Sequence, residues 1–195
     1  AAAAGGAAGF CVATIDEGIE LREAGITAPI LLLGVVAVTD IALIATYDFS
    51  FPVASQEWLS DAEHYLSGTS LTRPLRAHIK VDTGMGRIGF LDAEAVAHAA
   101  SWLDQHPAFE WEGIFTHFST ADQADTVYWQ QQHLFFQEVL TALPHLPTYI
   151  HTGNSATALW HEQAVGNMIR YGIAMYGLNP SGHALEAPIP LKPAL

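Results

Sequence analysis

Lys80-Val81-Asp82-Thr83-Gly84-Met85-Gly86-Arg87 is the stretch from which the fold can be read. It ends an apolar run, Leu75 to Asp82, that predicts a strand. A segment that predicts a helix, Asp92 to Gln105, comes after it. The chain has only seven basic residues, this stretch holds two of them, and Lys80 and Lys192 are its only lysines. A chain so poor in positive charge that sets Lys, Asp and Arg around a double-glycine turn is building a polar site there. The plainer alternative is a strand ending in a turn with a local ion pair, because Gly-rich strand-to-helix turns are common in α/β proteins.

Working outward, short apolar runs alternate with longer helical stretches. Strands are expected at Gly9–Thr14, Pro29–Gly34, Tyr47–Val53, Leu75–Asp82, Trp111–His117, Thr148–Thr152 and Asn167–Gly172. Helices are expected over Asp16–Ala24, capped by Thr14 or Asp16 and stopped by Gly25. Others are expected around Asp40–Ala45, over Ser55–Leu66 with Ser55 as N-cap, over Asp92–Gln105 and Asp125–Leu143, and from Ser155. The strands are rich in Ile, Val and Leu, as expected when both faces are covered. Such units in series predict a parallel sheet, either doubly wound or a (β/α)₈ TIM-type barrel missing one unit. Residues 1–180 are expected to form this domain. The tail 181–195, with prolines 188, 190 and 193, reads as a linker into a further domain.

The net charge of -13 argues against nucleic acid and anionic membranes as partners, since both require clustered Lys and Arg. The single cysteine, Cys11, rules out an internal disulfide, and its neighbours Phe10 and Val12 predict a buried, inert thiol. A reducing, cytoplasmic setting is the default. The longest apolar run, Ile30 to Val38, is broken by Gly34 and is too short to span a bilayer. The Ala/Gly-rich start lacks the features of a signal peptide and a starting Met, so the chain is expected to begin within a longer protein.

The unusual polar residues fall at the C-terminal ends of strands, where barrels carry their chemistry. Asp82 leads to Arg87, another strand ends in His117, and another ends in His151 and leads to Asn154-Ser155. The last leads through Arg170 to Gly172-Ile173. Gly153-Asn154-Ser155 and the N–H groups of Gly172 and Ile173 suit an anion, and Arg170 and Arg87 are nearby cations, so the spacing suggests a phosphate-bearing ligand. Each residue also has a plainer reading: Ser155 as a helix cap, Arg170 as a strand-end ion pair, His117 as a core histidine. The ten histidines show no metal-ligand spacing. Gly84-Met-Gly-Arg-Ile-Gly89 matches a dinucleotide-binding spacing, but it lies mid-chain and lacks a placed ribose-binding acid.

Five segments in order resemble the pyridoxal-phosphate-dependent alanine racemases: Leu21–Leu31, Lys80–Arg87, Thr116–Asp122, Gly153–Ala156 and Arg170–Leu178. The resemblance implies a (β/α)₈ barrel with a β-rich domain after it, a homodimer, and interconversion of L- and D-alanine to supply D-alanine for peptidoglycan. It implies that the cofactor forms an aldimine with a lysine. Arg170 matches the arginine that hydrogen-bonds the pyridine nitrogen. Ser155, Gly172 and Ile173 match the phosphate cradle, Asn154 lines it, and Leu33 matches an apolar cofactor contact. Arg87 matches the residue near the phenolic oxygen and the substrate carboxylate. Lys80 matches a lysine that some members carry as a carbamate orienting that arginine, and His117 a histidine supporting the opposite-face base.

By this resemblance the chain corresponds to barrel strands two to eight. The aldimine lysine, on strand one, and the tyrosine base, in the partner's β domain, fall outside it. The 195-residue chain is therefore expected to be inactive by itself, poorly stable and prone to aggregation. A serine or broad-specificity racemase, a relative of the barrel-type decarboxylases, and a non-catalytic pyridoxal-phosphate-binding remnant are the alternative readings.

Overall fold

The computed structural model describes residues 1–69, 71, 73–162 and 166–182. The helices are nucleated where the sequence places side-chain acceptors against free N–H groups. Thr14 Oγ1 accepts from Glu17 N at 3.3 Å while Glu17 Oε2 reaches back to Thr14 N, a reciprocal capping box that starts α1, Ile15–Glu23. Ser55 caps α3, Gln56–Leu66, and Asp92 caps α4, Ala93–Gln105. The other helices are α2, Ile41–Tyr47; α5, Val127–Ala142; and α6, Ser155–Trp160.

Between them run β1, Phe10–Val12; β2, Ile30–Leu32; β3, Phe49–Val53; β4, Leu75–Lys80; β5, Phe109–Phe115; and β6, Tyr149–His151. All pair in parallel, in the spatial order β1-β2-β3-β4-β5-β6. A doubly wound sheet must reverse its strand order at a switch point. Here neighbours in sequence are always neighbours in space, so the six strands form part of a (β/α)₈ barrel circuit.

Side-chain alternation sorts the two faces of the sheet. Phe49, Phe51 and Val53 of β3 and Leu75, Ala77 and Ile79 of β4 pack outward in one cluster with Ile44, Leu59, Val96, Leu103 and Phe136 of the helices. Each large side chain so buried contributes about 1.5–3 kcal/mol. The opposite face carries Ser50, Arg76, His78 and Lys80. Opposite His78, β5 contains one extra residue, since the pairing jumps from Ala77↔Trp111 to His78↔Gly113 and leaves Glu112 as a bulge. The bulge reverses the phase of the strand. Trp111 and Ile114 both pack outward, and Phe115 turns inward to stack on His151.

Two sequence expectations are corrected. Asn167–Gly172 is not a strand; this region makes only isolated bridges, His151↔Gly166 and Gly153↔Ile169. The Asn167 side chain replaces a run of backbone ladder, accepting from Ile150 N at 3.0 Å and donating to Thr148 O at 2.8 Å. Cys11 is exposed rather than buried. Phe10 and Val12 pack toward the helices, so Cys11 points to the inner face of an edge strand, where water reaches it. Enough protein surrounds the sulfur to push the thiol pKa up, with the nearby Arg170 charge pulling it down. The tail beyond 182, including Lys192, lies outside the described residues. Among the described residues no helix is long and apolar enough to cross a membrane.

Candidate functional site

The site is built from the segments just beyond β4, β5 and β6. After β4 the chain wraps around a carboxylate. Asp82 Oδ1 accepts from the N–H groups of Gly84, Met85 and Gly86 at 2.9, 2.8 and 3.1 Å, and Oδ2 accepts from Arg87 N at 3.0 Å. Such a curl requires left-handed backbone at Gly84, φ 124°, and Gly86, φ 71°, which glycine adopts without strain. Tyr128 Oη donates to Gly84 O at 2.8 Å and ties the loop to α5. The loop ends by presenting the exposed Arg87.

Lys80, at the end of β4, is 4% exposed. Its ammonium donates to Val81 O at 2.7 Å and Ile88 O at 3.2 Å and sits 5.6 Å from the Phe115 ring centroid. Burial lowers its pKa to about 8, with Arg170 and Arg87 adding to the shift and Asp82 opposing it.

His117, just beyond β5, is half-buried, and Asn154 Nδ2 approaches its Nε2 at 3.5 Å. Burial, then the charges of Arg170, Arg87 and Lys80, lower its pKa to about 4, so the ring is neutral at neutral pH. The cap of α6 is Asn154, whose Oδ1 accepts from Thr157 N at 2.9 Å. That frees Ser155 from the capping role, and its Oγ instead accepts from Gly172 N at 3.1 Å and Ala174 N at 3.4 Å. Ile173 is exposed beside them, at the start of a 3-10 turn, Ile173–Tyr176.

Arg170 lies beneath this mouth and is 9% exposed. Its Nη2 donates to Thr116 O at 2.8 Å, and its Nη1 donates to His151 O at 3.2 Å and His151 Nδ1 at 2.5 Å. The guanidinium stacks over Phe115 at 5.2 Å. All of these partners are neutral. Burial lowers the Arg170 pKa to about 10, with the Cys11 thiol opposing the shift and Arg87 adding to it. In a chain of net charge -13, Arg170, Arg87 and Lys80 thus form a local positive region. The nearest acid, Asp82, is occupied by backbone N–H groups.

The structure brings Lys80, Arg87, His117, Asn154, Ser155, Arg170 and Gly172 to one end of the sheet. Leu33 is half-buried directly after β2, where its N–H donates to Val12 O at 2.8 Å. The sequence reading missed His78, Glu112 and Ser50. His78 Nδ1 lies 2.8 Å from His151 Nε2, and His78 Nε2 lies 2.8 Å from Glu112 Oε2, which accepts from Ser50 Oγ at 2.5 Å. Ser50 and His78 carry a signal in the sequence, as polar residues at inward positions of otherwise apolar strands, whereas Glu112 sits at the bulge that breaks this alternation. A cleft of about 280 Å³ lined by Thr14, Asp16, Gly34 and Asp40 holds none of these residues.

Residues 1–180 match the family described as alanine racemase, N-terminal domain. An alanine racemase of Lactiplantibacillus plantarum is 49% identical over 196 residues, covering 100% of this chain and 52% of the relative. The crystal structure of alanine racemase from E. faecalis is 58% identical, with a TM-score of 0.90 over 95% of this chain and 49% of that one. A histidine racemase from Leuconostoc mesenteroides is 31% identical, with a TM-score of 0.83 over 90% of this chain and 47% of that one. The chain spans about half the length of the curated relatives it matches.

Proposed function

We propose a function from one premise: the chain belongs to the alanine racemase N-terminal-domain family. Its barrel holds pyridoxal phosphate in a homodimeric racemase that interconverts L- and D-alanine. The observation that carries this reading is Arg170, a buried guanidinium whose partners are all neutral and which faces the mouth of the barrel. A desolvated cation without a direct counter-charge among the described residues suits an acceptor such as a ring nitrogen. Ser155 Oγ accepts from the Gly172 and Ala174 N–H groups and so keeps its own hydrogen to donate; with the Ile173 N–H beside it, it suits phosphate oxygens, so the residues present fit the group.

When bound, the cofactor draws electrons from the Cα–H bond of the amino acid. The protein supplies orientation and electrostatics. Ser155 and the Gly172 and Ile173 N–H groups hold the phosphate, beside Asn154 and Leu33. Arg170, with a pKa near 10, donates a hydrogen bond to the ring nitrogen without giving up its proton. Arg87, presented by the Asp82-centred loop, faces the substrate carboxylate, and Lys80 orients it. His117, neutral with a pKa of about 4, supports a base on the opposite face. None of these residues is the base that moves the Cα proton. The Lys80 amine is given to two backbone carbonyls, and the chain by itself is proposed to be inactive.

The likeness to a histidine racemase favours a second reading, a racemase of another amino acid, because the same barrel carries both activities. The test is to express the whole reading frame containing this chain. Pyridoxal phosphate is read by absorbance, and L/D interconversion by circular dichroism with alanine, serine and histidine in parallel. Alanine as the fastest substrate supports the proposal. A protein that binds no pyridoxal phosphate, or that racemises none of the three, overturns it.

A further inference from the structure

A continuous chain of side chains crosses the inner face of the sheet, from Arg170 through His151 and His78 to Glu112. The residues are separated in sequence by 19, 73 and 34 positions along the links. His78 and His151 are 2% and 0% exposed, and Glu112 is 9% exposed. The protons along this chain can be placed from its two ends. An arginine can only donate, so His151 Nδ1 must accept. The neutral ring then carries its proton on Nε2 and gives it to His78 Nδ1. His78 Nδ1 is thereby an acceptor, its proton sits on Nε2, and that proton is given to the Glu112 carboxylate. A doubly protonated His78 is excluded, because its Nδ1–H would force His151 Nε2 to accept and leave His151 with no proton at all. Burial first, then the charge of Arg170, pushes the His151 pKa well below its ordinary value, in keeping with a neutral ring. Burial pushes the Glu112 carboxyl up, but the hydrogen bonds from His78 and Ser50 and the charge of Arg76, whose Nε lies 3.7 Å from Glu112 Oε1, outweigh it and hold it below the usual range.

The backbone is shaped around this chain. The β5 bulge turns Glu112 inward, and Gly113 leaves the space that the His78 ring fills. A Cβ on Gly113 would run into His78 Nδ1 and lie 2.6 Å from Cε1.

We propose that His78 and Glu112 are positioning residues for Arg170, forming with His151 a one-way hydrogen-bond chain that fixes the direction of its guanidinium. The proposal deepens the racemase reading and rests on it for the role of Arg170. A carboxylate in direct contact would quench the positive field that Arg170 offers a ligand. Placed beyond two neutral imidazoles, the same carboxylate orients the donor and leaves its free N–H groups strong.

The test uses the full-length protein with ¹⁵N-labelled histidine rings, assigned with single-histidine variants. Both His78 and His151 are expected as Nε2–H tautomers at neutral pH, the arrangement that the two ends of the chain require. His78→Gln preserves the direction of the chain, since its amide oxygen accepts from His151 and its NH₂ donates to Glu112. It should keep the His151 tautomer and most of the turnover. His78→Leu and Glu112→Gln remove the link and the charge. Each should lower kcat for alanine about tenfold, with KM changed less, as loss of a single oriented donor does. The His151 tautomer should become mixed in His78→Leu. An Nδ1–H or protonated His151 in the wild type overturns the proposal, and so does Glu112→Gln with unchanged kcat. If His78→Leu does not fold, the Glu112→Gln and His78→Gln arms decide. The spectra require no turnover. A protein with the stated tautomers and no racemase activity defeats the functional reading alone, whereas an active racemase with other tautomers defeats only the chain.

Discussion

The Asp82 carboxylate and the Arg87 backbone N–H lie 3.0 Å apart, the last of four bonds by which one side chain holds the whole glycine loop. Asp82→Ala leaves these N–H groups without their acceptor. Gly84 and Gly86 are exposed, so water replaces part of the loss. The expected cost is about 1–2 kcal/mol in urea denaturation of the full-length protein, with a higher KM for alanine as Arg87 loses its placement. Burial raises the Asp82 pKa, but the N–H bonds from Gly84 and Gly86, the Lys80 charge and the Met85 N–H bring it below the ordinary value. Its contribution is therefore complete above the unfolded pKa of about 4 and is lost as pH falls through the lower folded value.

Lys80 adds a pH dependence of the same sign on the basic side. Its folded pKa of about 8 lies below its unfolded value of 10.5, so between these limits the unfolded chain binds more protons and stability rises with pH. Asp82, Arg170 and Arg87 are the charges that face it. Thermal melts of the full-length protein and of Lys80→Met should diverge from pH 8 to 10, with the wild type gaining on the variant. The full effect is of the order of 3 kcal/mol. Parallel curves would show that the amine is not desolvated.

Ser155→Ala removes the hydroxyl that gathers the Gly172 and Ala174 N–H groups. Because Asn154 caps α6, that helix should stay intact, and the cost should be limited to about 1–2 kcal/mol for the N–H groups left unpaired. Pyridoxal phosphate affinity in the full-length protein, measured by fluorescence titration, should fall about tenfold. A large drop in melting temperature without a change in affinity would make Ser155 a structural residue only.

Gly113→Ala tests the shape of the bulge. The added methyl meets the His78 ring, 2.6 Å from Cε1, and neither that ring nor the strand can withdraw without breaking a hydrogen bond. A loss of about 1–3 kcal/mol is expected from overpacking alone, read as a lower denaturation midpoint, together with disturbed His78 and His151 ring resonances.

The strand–helix units were legible because their signals are local. Thr14, Ser55 and Asp92 announce helix starts through acceptors at fixed offsets, and the Ile/Val/Leu runs announce covered strands. The choice between a doubly wound sheet and a barrel was not legible, since it depends on which strands meet. The Asn167 region looked like a strand because its composition is strand-like, and a side chain standing in for backbone pairing leaves no periodic trace. Ser155 was open to reading as a cap because Asn and Ser both favour that position, and only geometry shows Asn154 taking it. The Arg170–Glu112 chain was hidden for a deeper reason. Its members lie on four different segments, and the bulge at Glu112 breaks the alternation by which an inward residue would be recognised.

The sequential strand order also bears on how the protein is made. Every strand pairs with the one synthesised just before it, so each new strand–helix unit can dock onto an edge already exposed outside the ribosome. The chain from Glu112 to Arg170 cannot form in this stepwise way, because its last member is Arg170. Until that residue emerges, His78 and His151 wait on the inner face with their donor missing. The ligand-facing charge is therefore set in place only after all six strands, and a growing barrel has no finished anion site to occupy too early.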